Sequence, residues 1–147
     1  MYLKFHREIN AHSHKRERVE WLEAGDVQRR VKKLVDSLEL AWIDFSSLTV
    51  FRSRNSKARA YARIWGLSKV WQLALKQKPA YIIEVISERF DSLPEQKQNE
   101  VLLHELAHIP KNFSGALIPH FRHGNRKFKD LVQGLVTQYE HYHSSRK

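Results

Sequence analysis

Near the start of its last third the chain reads Leu102-Leu103-His104-Glu105-Leu106-Ala107-His108. The apolar residues around the two histidines predict a buried helix, in which side chains four residues apart share one face. Two neutral imidazoles at this spacing can occupy adjacent corners of a tetrahedral zinc site. Glu105 stands beside them, where a carboxylate can accept a proton from zinc-bound water. The sequence therefore predicts that His104 and His108 bind Zn²⁺ and that Glu105 is the catalytic base of a hydrolase.

A third ligand has to follow this helix, because a catalytic zinc takes three protein ligands and leaves one position for water. The position six residues after His108 is Ser114, which excludes the metzincin spacing. The only glutamate after the motif is Glu140, near the end of the chain, which disfavours a site completed by a glutamate of the next helix. The remaining candidates are His120 and His123, and their positions alone do not choose between them.

The boundaries of the last two helices are predicted by residues that favour helix ends. Ser92-Leu93-Pro94-Glu95 has the pattern of a capping box, in which Ser92 and Glu95 satisfy each other's backbone amides. Pro110 should end the helix that carries the motif soon after Ile109, because proline cannot continue a helix. Asn125 should cap a last helix that contains Phe128.

The preceding part of the chain predicts helices followed by a β-rich region. Apolar residues recur at helical spacing over residues 17–40, and Gly25-Asp26 divides a short helix from a longer one that Asp26 would cap. The next elements are predicted, in order, as a first strand within 42–51, a hairpin of residues 60–65 and 70–75, and a strand over 81–86. We therefore expect one α+β domain over residues 1–147, with a sheet of three or four strands and a loosely ordered segment 1–15.

The composition limits the chemistry and the compartment. The chain of 147 residues has no cysteine, which excludes disulfides and zinc ribbons, so a metal must rest on histidine and carboxylate ligands. It has no run of about 18 apolar residues that could span a membrane, and its first residues lack the apolar segment of a secretory signal. We therefore expect a cytoplasmic protein with no membrane contact.

Positive charge is concentrated in the predicted β-rich region. The formal net charge is +10, and no acidic residue occurs between Asp44 and Glu84. This pattern favours a nucleic-acid surface, with solvating charge as the alternative. Tyr61, Trp65 and Trp71 lie among these cations, either as platforms that stack on bases or, for at least two of them, as core side chains. The candidate nucleic-acid-binding residues are Arg52, Arg54, Lys57, Arg59, Arg63 and Lys69.

Two family resemblances cover about residues 80–140. Residues 103–131 resemble SprT-like zincin domains, in which the HExxH motif is followed by a His-Gly pair that opens the next helix, here His123-Gly124. Residues 104–120 also resemble small metallopeptidases of archaea and phages, through the motif and the later pair Pro119-His120. The first resemblance implies His123 as the third metal ligand, and the second implies His120.

Both resemblances imply a zincin-like fold and a zinc metallopeptidase that cleaves protein or peptide substrates. The SprT-like resemblance further implies DNA-associated proteins as substrates and a location at the nucleoid.

Two alternative functions stay open. A metal-dependent nuclease would need an Asp/Glu cluster for Mg²⁺, which the motif-bearing third of the chain lacks. A DNA-binding protein with a structural zinc site would need four ligands, so both His120 and His123 would have to bind.

Overall fold

The structure, a computed structural model, describes residues 17–120 and 127–147. Within these ranges the chain has the predicted α+β composition, and no helix is long and apolar enough to cross a membrane. The elements follow one another as β1 (Glu20–Glu23), α1 (Gly25–Ser37), a 3-10 helix (Phe45–Ser47), β2 (Leu48–Arg54), β3 (Ala62–Gly66), α2 (Lys69–Leu75), β4 (Tyr81–Ile86), α3 (Ser87–Phe90), α4 (Glu95–Ala107) and α5 (Lys127–Ser144).

The sheet is mixed, with the strand order β1-β2-β4-β3. Its two central strands, β2 and β4, run parallel, with Leu48 opposite Tyr81 at one end and Ser53 opposite Ile86 at the other. The outer strands β1 and β3 pair antiparallel with β2 and β4 respectively. β3 is therefore an edge strand, and this position matters for the site described below.

One face of the sheet packs against the helices and forms the core. Alternate residues of the central strands point to this face, and α1 and α4 cover it with apolar side chains spaced at helical intervals. α5 packs against α4 and adds Phe128 and Leu135 to the same core. The most deeply buried contributors are Val27, Val31, Leu34, Leu48, Ile83, Val85, Leu102, Leu103 and Leu106.

The predicted first helix is wrong, because residues 20–23 form strand β1. Leu22 and its neighbours match a helical spacing, but pairing with residues 51–54 of β2 satisfies their backbone groups instead. The second prediction for this region, a longer helix, is confirmed as α1. Asp26 does not cap it: the helix begins at Gly25, and the Asp26 carboxylate pairs with Arg52 at 3.0 Å.

The predicted hairpin is also wrong, because its second strand is helix α2. β3 forms as predicted but pairs with β4, placing Trp65 opposite Ile82. In α2 the buried side chain is Gln72, whose amide donates to the carbonyls of Leu67 and Ser114 at 2.7 and 2.8 Å. The prediction was that apolar side chains of this segment would be buried, whereas the buried side chain is a polar one. Its two hydrogen bonds make this burial possible.

Strand β4 and helix α4 confirm the corresponding predictions, but their details differ. The capping box does not form: Pro94 is the N-cap of α4, and the Ser92 hydroxyl donates to the Arg89 carbonyl at the end of α3. α4 ends at Ala107, three residues before Pro110. The first predicted strand begins only at Leu48, after a 3-10 helix. The predicted Asn125 cap lies outside the described residues.

Candidate metal centre

Three histidine side chains converge where α4 ends and the following loop returns. The Nε2 atom of His120 lies 2.9 Å from Nε2 of His104 and 3.2 Å from Nε2 of His108. Possible ligand atoms of the three residues all lie within 4.8 Å of one another. With zinc–nitrogen bonds of about 2.0–2.1 Å, neighbouring nitrogens of a tetrahedral site are about 3.3 Å apart. The cluster can therefore hold a metal ion.

The orientation of His108 is fixed by the loop that carries His120. Nδ1 of His108 lies 2.5 Å from the carbonyl oxygen of Ile118. A carbonyl only accepts hydrogen bonds, so Nδ1 carries the hydrogen and Nε2 keeps its lone pair. That lone pair is directed toward His120, which is the arrangement that a backbone carbonyl imposes on metal-binding imidazoles.

Burial favours the neutral, metal-binding form of His104 and His108. Burial and, to a smaller extent, repulsion from the neighbouring His108 and His120 together lower the pKa of His104 to about 4. Burial also lowers the pKa of His108, although the hydrogen bond that this ring donates to the Ile118 carbonyl opposes the shift. Ring nitrogens that stay unprotonated at neutral pH need no proton release before they coordinate a cation.

Glu105 is the buried carboxyl beside this cluster. Its side chain is 7 % exposed, and burial raises its pKa to about 7. A carboxyl with this pKa is present in both protonation states near neutral pH, so it can accept a proton and return it. The pKa of Glu105, the predicted base, is therefore in the range that suits a general acid–base group near neutral pH.

The loop after α4 is pinned to the sheet before it reaches His120. The Tyr81 hydroxyl donates to the carbonyl of Ala116 at 2.7 Å and accepts from the amide of Gly115 at 2.8 Å. Gly115 has φ of +90°, and a Cβ at this position would collide with the Leu67 carbonyl oxygen, so a glycine is required. The amide of Ile118 then donates to the His108 carbonyl at 2.8 Å. These contacts return the chain to the end of α4.

Phe128 of α5 packs on all three imidazoles. Its ring stacks on His108 with centroids 4.3 Å apart and meets His104 and His120 at 5.2 and 5.1 Å. The sequence placed Phe128 on the apolar side of the last helix but gave no sign that it contacts the histidines. Helical spacing identifies a buried side chain without naming its partner, so this site residue was missed.

A cleft of about 1040 Å³ opens in front of the histidines and Glu105. Edge strand β3 forms one wall through residues 62–64, and α5 forms another through Val132 and Val136. Edge strands present unpaired backbone groups that can bind an extended peptide. The cleft thus places a surface suited to a peptide backbone beside a possible metal site and a buried carboxyl.

A family model described as "Putative phage metallopeptidase" matches residues 19–139, which is more than half of the chain. The chain belongs to this phage metallopeptidase family. No curated protein matches the chain, and no solved structure does either. Membership in a metallopeptidase family implies a metal-dependent hydrolysis of protein or peptide substrates.

The other residues that the sequence predicts to be functional differ in their surroundings. His123 lies outside the described residues. Arg52 forms ion pairs with Asp26 and Asp91, each at 3.0 Å. Arg63 pairs at 2.7 Å with the fully buried Glu84. The other four predicted nucleic-acid ligands are exposed and have no ion-pair partner among residues 17–120 and 127–147, namely Arg54, Lys57, Arg59 and Lys69.

Proposed function

We propose that the chain is a zinc-dependent peptidase in which His104, His108 and His120 hold the ion and Glu105 moves the proton. The observation that carries this proposal is the convergence of three imidazole nitrogens within 4.8 Å, beside a buried carboxyl. A tris-imidazole donor set without cysteine suits zinc and leaves a fourth position open. His123, the alternative third ligand, lies outside the described residues.

A zinc ion bound there would supply Lewis-acid chemistry, polarising the scissile carbonyl and lowering the pKa of water to about 7. Glu105 accepts a proton from the attacking water and then delivers it to the leaving amine. Burial raises the pKa of this carboxyl, which favours its taking up the proton before it passes the proton on. The Ile118 carbonyl holds the His108 ring in the required tautomer while this happens.

The substrate would bind as an extended strand along β3. Residues 62–64 of this edge strand line the same cleft as His104 and Glu105. Pairing with β3 would hold a peptide by main-chain hydrogen bonds, which do not depend on its sequence. The scissile bond would then lie near the histidines, because the strand and α4 share the cleft.

The test compares two isosteric substitutions on the same helix. Purified protein should contain about one zinc per chain, because three imidazoles at one site can supply the ligands of one ion. Glu105→Gln should keep the zinc and lose hydrolysis of an unfolded protein substrate, whereas Glu95→Gln, at the far end of α4, should change neither. Absence of a transition metal after gentle purification, or full activity of Glu105→Gln, would contradict the proposal.

A second proposal concerns the setting in which the peptidase works. The chain has a net charge of +10, and four of the six predicted nucleic-acid-binding residues are exposed and form no ion pair within the described residues. Such a surface attracts polyanions. Together with the SprT-like resemblance, it supports association with DNA through Arg54, Lys57, Arg59 and Lys69 and cleavage of DNA-associated proteins. Arg52 and Arg63 would contribute less, because acidic partners already neutralise them.

A further inference from the structure

The second face of the sheet carries aromatic side chains that no helix of the described residues covers. A groove of about 740 Å³ crosses all four strands on this face. Trp21 of β1 and Trp65 of β3 line it and are 51 % and 47 % exposed. Trp71 of α2 also lines it, with 58 % of its surface exposed. Large apolar side chains clustered at the surface in this way mark interaction sites.

The ring of Trp65 is held in place rather than free to rotate. Its indole nitrogen donates to the buried Glu84 carboxylate at 3.1 Å, and the Arg63 guanidinium carbon lies 5.1 Å from the ring centroid. Ile82 stands opposite it on β4 and lines the same groove. A ring fixed before binding loses little conformational freedom when a ligand stacks on it.

Two exposed lysines stand at the two ends of α2, next in sequence to residues that line the groove. Lys69 follows the groove residue Ser68, and Lys76 precedes another groove residue, Gln77. Neither lysine has an ion-pair partner in the part of the chain that the structure describes. The nearby carboxylates Glu20 and Glu23 belong to the opposite edge strand, β1. An aromatic floor with a cationic border would repel a second copy of a chain whose net charge is +10, and it would attract a polyanion.

We propose that this open face of the sheet binds single-stranded DNA, with bases stacked on Trp21, Trp65 and Trp71. Bases are available for stacking on a protein surface only when they are not stacked in a duplex, and an aromatic surface with adjacent lysines is the arrangement that binds single strands. Three polar side chains, Thr49, Ser68 and Gln77, line the groove, so stacking and phosphate contacts outweigh reading of base edges. The inference rests on the proposed association with DNA and is independent of the peptidase reaction.

The test measures binding of a labelled oligo(dT) to the full chain by fluorescence anisotropy. Trp21→Ala and Trp71→Ala should each weaken binding about five- to a hundredfold, because each removes one stacking surface. Trp71→Phe should retain most of the affinity, since it keeps an aromatic face. Leu73→Ala is the matched control: Leu73 is 66 % exposed on the same helix but does not line the groove, so binding should not change. Zinc content and the melting temperature verify that each variant is folded.

Several results would overturn this inference. Both tryptophan variants could bind oligo(dT) like the parent, while replacement of Arg54, Lys57, Arg59 and Lys69 by glutamate abolishes binding. The association with DNA would then stand, and the aromatic face would not be used. If the parent binds duplex DNA but not oligo(dT), the inference on single strands fails and the association with DNA stands. If the parent binds neither, both DNA proposals fail, and the peptidase proposal is unaffected. Equal competition by duplex DNA, preference for oligo(U), or an equal loss in Leu73→Ala would each reject stacking of single-stranded DNA. A tryptophan-dependent dimer or vesicle contact without DNA binding would assign the face to a different partner.

Discussion

At the scale of single residues, removal of His120, the proposed third ligand, should strongly reduce zinc affinity. Its Nε2 lies 2.9 Å from Nε2 of His104 and 3.2 Å from Nε2 of His108, so it completes the cluster of three imidazoles. His120→Ala should lower zinc affinity by orders of magnitude, whereas His123→Ala should lower it by about tenfold at most, as loss of a residue outside the ligand set does. Competition titration with a zinc chelator measures both.

Reversed magnitudes would assign the third position to His123, as the SprT-like resemblance implies. Large losses in both variants would mean four protein ligands, and the site would then be structural rather than catalytic.

Glu105 should make the zinc-free protein less stable as the pH rises. Its pKa is raised by burial from 4.5 to about 7, so the folded state binds this proton more tightly than the unfolded state. The contribution of Glu105 to the stability therefore falls from about pH 4.5 to about pH 7 and levels off above that, by up to about 3 kcal/mol. Glu105→Gln should remove this loss. Urea unfolding with a chelator at pH 5 and pH 8 measures it.

The control for this measurement is Glu84, whose pKa shift has the opposite sign. Burial would raise the pKa of Glu84, but hydrogen bonds from Arg63, Ser53 and Trp65 lower it below 4.5. Its contribution is present above that value and is lost as the pH falls through the folded-state pKa. Glu84→Gln should therefore destabilise the protein at both pH 5 and pH 8. Burial lowers the pKa values of His104 and His108, so these residues change the stability in the opposite direction in the parent and in every variant. The same stability change from pH 5 to pH 8 in the parent and in Glu105→Gln would contradict the role of Glu105 burial.

At the scale of elements, α5 should hold the metal site together through Phe128. Phe128→Leu should lower zinc affinity, because it removes the ring that packs on three imidazoles. Leu135→Ala, another buried position of the same helix, should reduce stability by about 2–5 kcal/mol and leave zinc affinity unchanged. Zinc titration at a temperature where both variants are folded separates the two effects. Equal zinc affinities of the two variants would limit Phe128 to a core role.

The elements differ in how far the sequence predicts them. The positions and types of β4 and α4 can be predicted from their own residues. Each has a strong apolar pattern with a proline near one end, which fits a single type of element. Strand β1 and helix α2 do not, since β1 is decided by pairing with β2 and α2 by the hydrogen bonds of Gln72 to Leu67 and Ser114. The spacing of His104 and His108 predicts two members of the cluster. Which histidine completes the cluster depends on how the loop is held by the hydrogen bond from Tyr81 to Ala116. These residues are 35 positions apart in the sequence, so local patterns do not predict their contact.

At the scale of the whole molecule, strand β3 belongs to both proposed surfaces. Residues 62–64 line the cleft of the histidines, while Trp65 lines the groove on the open face. A protein held near single-stranded DNA on that face would lie close to the edge strand that is proposed to bind substrate. Local concentration, rather than sequence recognition, would then select the substrates.

Binding to DNA should weaken steeply with salt, and the loss should depend on which cations are removed. Replacing Arg54, Lys57, Arg59 and Lys69 by glutamate changes the net charge by two units per residue, from +10 to +2. Four glutamates at Arg29, Lys33, Lys129 and Lys147, exposed residues outside the β-rich region, give the same net charge. Arg63 is left intact in both variants, because a glutamate there would face the buried Glu84 carboxylate.

If the first four residues bind phosphates, the slope of log affinity against log salt should fall by about 0.7–0.9 for each lost contact. The second variant should keep nearly the parental slope, because counterion release counts contacts rather than total charge. Anisotropy titrations at several salt concentrations compare the two, and equal slopes would mean that the charge of the β-rich region only solvates the protein.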